Sequence, residues 1–138
     1  MARNIHLILS DIECYQESAD WLGLDALLEE LFLHPVAQIP ATTLLGVFER
    51  FPESEGCGVF WSIIHGLEAL PEFEIDLYQS IKRKPSTCGF TMVLRILNSE
   101  ECVEKRNKWI ELLSVVSNQE LSSQLKEDLE NICKMHPS

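Results

Sequence analysis

Apolar side chains recur every three or four residues along most of the chain, which is the period of a helix with one buried face. No segment alternates apolar and polar residues over the length of a strand, and no Asn-Gly or Asp-Gly pair signals a β-hairpin. Prolines and glycines divide the periodic pattern into about eight segments. We therefore predict an all-α protein of about eight short helices.

The boundaries of these helices follow from the breaks in the pattern. The first five lie at about residues 4–18, from near Asp20 to before Pro35, between Pro40 and Pro52, from the Gly56-Cys57-Gly58 break to about Leu70, and at about residues 73–84. Ser86 is predicted to cap the sixth helix, and the seventh carries the apolar residues Val103, Trp109, Ile110, Leu113 and Val116. Ser117 and Glu120 have the spacing of a capping box for the eighth.

Short helices joined by short turns favour antiparallel helical hairpins that pack in sequence order. We expect one helical domain over residues 1–138, because no linker is long enough to divide it. A compact bundle and a short HEAT-like solenoid both fit this pattern. Many short helices, rather than four long ones, favour the solenoid.

The charge of the chain is unevenly distributed. The full sequence has 22 acidic and 11 basic residues, which gives a net charge of −11. Residues 1–80 contain 14 acidic residues and only two basic ones, Arg3 and Arg50, whereas residues 81–138 contain eight acidic and nine basic residues. This balance disfavours direct binding to nucleic acid or to an anionic membrane surface and favours a basic partner. Solubility is the alternative explanation of the acidic half.

Cysteine usage and the absence of export signals suggest a cytoplasmic protein. The five cysteines form no Cys-x-x-Cys pair, which fits a reducing compartment better than a disulfide framework or a zinc finger. The first residues lack the features of a signal peptide, and no apolar run approaches the roughly 20 residues that span a bilayer.

The side chains that are the best candidates for binding or catalysis lie on the predicted fourth helix. Trp61, His65 and Glu68 form a stripe separate from the apolar face of that helix. The stripe has a structural explanation, in which Trp61 bridges helices and His65 forms a hydrogen bond with Glu68. His65 and Glu68 have the spacing of an H-x-x-E metal half-site, but the sequence shows no evident further ligands. A Cys-His hydrolase would pair Cys57 or Cys14 with His65, but no nucleophile motif surrounds either cysteine. We therefore expect no metal, no cofactor and no enzymatic activity.

Two acidic turns flank this helix. Glu49, Glu53 and Glu55 lie before it, and Glu72, Glu74 and Asp76 follow it. If the packing brings the two turns to one surface, a basic partner would meet clustered carboxylates, with Trp61 as an aromatic anchor. The alternative is that these acids complement helix dipoles, which explains Glu74 and Asp76 better than Glu49.

The middle of the chain resembles a known family. The segments FERFP at residues 48–52 and GVFWSIIHGLEALP at 58–71, continued by RKPS at 83–86 and MVLRILN at 92–98, are similar to small bacterial immunity proteins of polymorphic-toxin systems. These systems include contact-dependent growth inhibition and Rhs-type loci. The similarity covers about residues 47–98.

This resemblance implies an all-helical antitoxin that binds a cognate toxin domain in the cytoplasm and covers its active site. The toxins of such systems are often nucleases, so the implied partner is a basic nuclease, with a ribonuclease as the favoured class. A helical interaction scaffold unrelated to toxins is the alternative. The residues predicted to contact the partner are Glu49, Glu53, Glu55, Trp61, His65, Glu68, Glu72 and Asp76.

Overall fold

The prediction of an all-α protein of about eight helices is confirmed. The structure, a computed structural model, describes residues 3–16, 21–54 and 56–136, and these ranges contain helices and no strand. The helices are α1 (Ile5–Cys14), α2 (Leu22–Leu31), α3 (Ala41–Arg50), α4 (Phe60–Glu68), α5 (Phe73–Arg83), α6 (Thr87–Ser99), α7 (Val103–Val116) and α8 (Ser123–Met135). Single 3-10 turns occur at Val36–Gln38 and Gly56–Gly58.

Local sequence determines where several helices begin. The Ser86 hydroxyl accepts a hydrogen bond from the backbone N–H of Gly89 at 2.9 Å, which confirms Ser86 as the cap of α6. The predicted capping box at Ser117 and Glu120 is wrong. Ser117 keeps helical backbone angles at the end of α7, whereas an N-cap requires an extended residue. That residue is Ser122, whose hydroxyl accepts from the backbone N–H of Leu125.

The helices stack in two layers. Each odd-numbered helix contacts the next odd-numbered helix, and each even-numbered helix contacts the next even-numbered one. We call α1, α3, α5 and α7 the odd layer, and α2, α4, α6 and α8 the even layer. Contacts of α1 with α2, of α3 with α4 and of α5 with α6 join the layers as hairpins. This order of contacts is that of a short, HEAT-like stack of helical hairpins.

One apolar core runs between the two layers. All eight helices contribute to a single cluster of buried apolar side chains, and Phe48, Phe60 and Phe90 are its largest fully buried members. Trp21 closes the cluster beside the α1–α2 connection, where its ring packs edge-on against Phe51 and Phe60. The predicted inward face of α4 is confirmed, since Phe60, Ile63 and Leu67 are all buried.

Side-chain hydrogen bonds, an ion pair and the packing of Phe32 against Gly66 join neighbouring helices within each layer. In the odd layer, Thr43 of α3 donates a hydrogen bond to Glu13 of α1, and Glu49 of α3 pairs with Arg83 of α5. In the even layer, Thr87 of α6 donates to Asp128 of α8. Gly66 allows α2 and α4 to approach, because a Cβ at Gly66 would lie 2.4 Å from the ring of Phe32.

The stack has two distinct ends. At the end that we call the linker end, the even-numbered helices finish and α3, α5 and α7 begin. A contact marks this end, since His136 after α8 hydrogen-bonds Asn98 near the end of α6 and Arg106 near the start of α7. At the opposite end, the hairpin-turn end, the backbone N–H of Thr87 donates to the carbonyl of Pro52.

In the described ranges, none of the helices has both the length and the apolar content needed to cross a membrane.

The turn before α4 provides a test of the packing. Gly56 has a φ of 58°, and a Cβ there would lie 2.5 Å from the buried ring of Phe60. Because Gly56→Ala adds both backbone strain and a clash, we expect it to lower the free energy of unfolding by about 2 kcal/mol. Urea unfolding followed by circular dichroism measures this change.

Gly46→Ala is the matched control. Gly46 lies inside α3, and no heavy atom lies within 4 Å of the position that its Cβ would occupy. The same substitution should therefore raise the free energy of unfolding, by up to about 1 kcal/mol, through helix propensity alone. Equal unfolding midpoints for the two variants would contradict the described packing around Gly56.

Candidate interaction surface

The stripe predicted on α4 is present at the surface. The side chain of Trp61 is 43% exposed, and His65 is exposed one turn further along the helix. The rings of Trp61 and His65 lie with centroids 5.9 Å apart. These two residues point outward because Phe60, Ile63, Ile64 and Leu67 use the opposite face of α4 for the core.

Arg95 of α6 organises this stripe. Its Nε and Nη2 atoms donate hydrogen bonds of 2.8 Å to the two carboxylate oxygens of Glu68. Its guanidinium carbon lies 5.7 Å from the centroid of the Trp61 ring, within the range of a cation–π contact. The hydrogen bond to Glu68 raises the pKa of Arg95, so the guanidinium stays charged. Arg95 therefore lies between the aromatic ring and the carboxylate.

We call Trp61, His65, Glu68 and Arg95 the Trp61 cluster. No hydrogen bond joins the described side chains of His65 and Glu68, so the predicted pairing of these two residues is wrong. Glu68 instead accepts the two donors of Arg95, which approach it in the planar, bidentate geometry that a carboxylate favours. Arg95 keeps its Nη1 atom outside this pair.

A shallow depression continues the Trp61 cluster toward the linker end. It has a volume of about 210 Å³, and its lining includes Glu68, Arg95, Phe73, Glu74 and Glu100. The depression thus connects α4 and α6 with the first turn of α5 and with the segment that precedes α7. The surface available to a partner extends from Trp61 across the ends of three helices.

Glu49 lies away from this surface, in the odd layer. Its carboxylate accepts hydrogen bonds from the Ser80 hydroxyl at 2.9 Å and from two nitrogens of Arg83 at 2.8 Å, and its side chain is only 16% exposed. Partial burial acts to raise the pKa of Glu49. The hydrogen bonds from Arg83 and Ser80, with the positive charge of Arg83, outweigh burial and place the pKa below its ordinary value.

Glu53 is exposed in the connection between α3 and α4, beside a depression that Arg50 also lines. No hydrogen bond or ion pair joins Glu53 to another described residue. The guanidinium of Arg50 is engaged elsewhere, since it donates to the backbone carbonyls of Ile12, Glu13 and Tyr15 at the end of α1. Glu55 lies outside the described residues.

Glu72 and Asp76 lie at the linker end. Glu72 is exposed and has a φ of 58°, a left-handed conformation that is uncommon for a residue with a side chain. It directly precedes α5, and Asp76 is half-buried in the first turn of that helix. Acidic groups in this turn complement the helix dipole, as the sequence predicted for Asp76.

The two acidic turns do not meet. The turn that contains Glu53 precedes α4, and the turn that contains Glu72 follows it, so the nine residues of α4 separate them by about 14 Å. Glu49 belongs to the odd layer and the Trp61 cluster to the even layer. The predicted contact residues therefore divide into separate surface regions.

The described residues also carry histidine, cysteine and acidic side chains outside the Trp61 cluster. They include no group of three or more His, Cys, Asp and Glu side chains arranged to hold a metal ion. Cys14, Cys102 and Cys133 are exposed, and Cys88 is buried, with its Sγ donating to the carbonyl of Ser54.

Two functional residues were missing from the sequence prediction. Arg83, in the last turn of α5, binds Glu49. Arg95 is the only charged residue in α6, which carries apolar residues on both sides of it. A single charge in an otherwise uncharged helix distinguishes Arg95 in the sequence, but its partner Glu68 lies on another helix.

The Glu49–Arg83 pair predicts a pH-dependent stability. Because the pKa of Glu49 is lower in the folded protein, its contribution is complete above about pH 4.3 and is lost as the pH falls through the folded-state value. Glu49→Gln should lower the free energy of unfolding by about 1 kcal/mol at pH 7, a value that allows for the exposure of Arg83. The difference from the wild type should shrink as the solution is acidified.

Glu53→Gln is the control, because it removes the same charge from a carboxylate that has no described partner. Chemical unfolding between pH 3 and pH 7 compares the two variants. A constant difference between Glu49→Gln and the wild type over this range would contradict the ion pair.

Comparisons of the chain with models of protein families, with curated proteins and with solved structures find no match.

Proposed function

We propose that this chain is an immunity protein that binds a cognate toxin domain in the cytoplasm and neutralises it by covering its active site. It acts by binding and not by catalysis. The observation that carries the proposal is the exposed indole of Trp61, held between neighbouring helices by the Arg95–Glu68 pair. Trp and Arg are the side chains that most often dominate the binding energy of protein interfaces.

The fixed orientation of Trp61 favours binding. A side chain that is already ordered loses little conformational entropy when a partner covers it. Arg95 supports the ring from α6, and Glu68 supports Arg95 from the same helix that carries Trp61. The cluster is therefore ready for a partner that buries the indole.

The charge of the chain supports a basic partner. A nuclease presents a positive cleft for the phosphates of its substrate, and an acidic protein associates rapidly with such a cleft. The net charge of −11 supplies this attraction, and the family resemblance makes a ribonuclease the favoured class of toxin.

A helical interaction scaffold for a different protein is the second candidate. Stacked helical hairpins present extended surfaces to many kinds of partner, and the two-layer contacts fit that use equally well. The two candidates differ in their partner. Only an immunity protein is required for growth when a toxin domain is present.

Co-expression tests the proposed function. The C-terminal domain of the protein encoded directly upstream of this chain's gene should arrest growth when it is expressed alone in the bacterial cytoplasm. Expression of this chain should restore growth. The proposal would be contradicted if the upstream C-terminal domain did not arrest growth. It would also be contradicted if growth arrest persisted despite soluble expression of this chain.

Trp61→Ala tests the role of the Trp61 cluster. Truncation of a central aromatic anchor should weaken binding to the toxin domain by at least about tenfold, and Trp61→Phe should retain most of the affinity. Calorimetric titration measures both dissociation constants. Leu7→Ala is the control, because Leu7 is 58% exposed on α1 in the odd layer. Equal losses in Trp61→Ala and Leu7→Ala would exclude Trp61 as an anchor.

A double charge reversal tests the acidic turn before α4. Glu53→Lys with Glu55→Lys should leave the fold intact and weaken toxin binding, with a smaller dependence of affinity on salt. Glu127→Lys with Glu130→Lys makes the same change of charge at exposed positions of α8. If both double variants reduce affinity equally at low salt, only the total charge matters and the acidic turn is not part of the interface.

A further inference from the structure

Large apolar side chains are exposed in successive connections at the linker end. Ile75 in the first turn of α5 is 59% exposed, and Val103 at the start of α7 is 67% exposed. Leu33 and Val36, between α2 and α3, are 74% and 43% exposed. Because α3, α5 and α7 are successive neighbours in the odd layer, these four residues lie at one end of the stack, and we call them the apolar row.

Acidic residues lie next to two members of this row in the sequence, Ile75 and Val103. Residues 69–76 and 99–104, which contain Ile75 and Val103, include six acidic residues and no Lys or Arg. The two basic residues that follow Val103 most closely in the sequence are engaged within the protein. Lys105 approaches Glu100 at 3.7 Å, and Arg106 donates to the carbonyls of Leu97 and Glu100 and to His136.

Exposed apolar groups inside an acidic border define the chemistry of a partner. A segment with apolar side chains on one face would cover the row, and Lys or Arg beside that face would meet the carboxylates. An amphipathic basic helix has both features, since its apolar residues recur along one side. An acidic or uniformly polar segment would have neither.

We infer that the linker end is a docking surface for a basic amphipathic segment of the partner protein. This inference deepens the proposed function, because the toxin domain would supply the segment. The depression lined by Glu68, Glu74 and Glu100 joins the linker end to the Trp61 cluster, so one partner can cover both.

A synthetic peptide tests the surface without the toxin. The probe is a peptide of leucine and lysine with its leucines at helical spacing, and a peptide of the same composition in scrambled order is its control. The amphipathic peptide should bind the full chain in a calorimetric titration, and the scrambled peptide should bind about tenfold more weakly. Equal affinities for the two peptides would overturn the proposal, since charge alone would then explain binding.

Substitutions on α5 and α7 localise the binding. Ile75→Ser with Val103→Ser should weaken binding of the amphipathic peptide by about tenfold, and serine is well tolerated in the first turn of a helix. Val115→Ser is the control, because Val115 is 50% exposed at the opposite end of α7. It should change the affinity by less than about twofold. Unchanged binding in the double variant, or an equal loss in Val115→Ser, would overturn the proposal.

Two further measurements separate the remaining possibilities. Glu74→Gln with Glu104→Gln should reduce the salt dependence of peptide binding more than Glu111→Gln with Glu127→Gln, which removes the same charge from exposed carboxylates of α7 and α8. A dimer of the wild type that dissociates in the Ile75→Ser Val103→Ser variant would assign the surface to a second copy and overturn the proposal. The co-expression experiment remains independent, so growth rescue without peptide binding would reject this surface and leave the proposed function in place.

Discussion

The length of the helices constrains the rest of the structure. They range from nine to 14 residues, and isolated helices of this length are marginal in water. Each helix must therefore obtain its stability from apolar surface that neighbouring helices cover. The two-layer stack meets this requirement, since every helix contacts the next member of its own layer and all eight join one core. A surface used for binding must consist of what this packing leaves uncovered.

The stack also determines which charges are available to a partner. Glu49 and Glu68 both belong to the acidic half of the chain, but each holds an arginine of a neighbouring helix. The Glu68–Arg95 pair is partly exposed, and such pairs contribute at most about 1 kcal/mol to stability. Its greater consequence is geometric, because it holds Arg95 against Trp61. Glu53 and Glu72 remain exposed, at opposite ends of α4.

The sequence predicted those features that depend on residues close together in the chain. Helical period placed Phe60 and Ile63 in the core and Trp61 on a separate stripe, and Ser86 was recognised as a cap. The cap of α8 was misplaced because Ser117 and Ser122 are both plausible from local sequence, and only the backbone angles distinguish them. Periodicity describes one helix at a time. It therefore predicts which face of a helix is buried, but it does not distinguish between two possible N-cap residues.

Contacts between residues far apart in the chain could not be predicted from the sequence. Glu68 and Arg95 are 27 residues apart, and Glu49 and Arg83 are 34 residues apart. These pairs depend on which helices become neighbours within a layer, and no local pattern records that choice. The separation of the acidic turns could be predicted from the sequence, because turns that precede and follow one helix must lie at its two ends.

Side-chain caps begin helices at both ends of the stack, but the connections before α5 and α7 lack one. Ser86 and Ser122 cap α6 and α8 at the hairpin-turn end, as helix energetics favours. At the linker end, Glu72 adopts a left-handed conformation that costs a residue other than glycine about 1 kcal/mol or more. Ile75 and Val103 follow in first turns where a polar side chain would be at least as stable. A residue that departs from local stability often serves another purpose, and the docking surface that we infer at the linker end would give Ile75 and Val103 such a purpose.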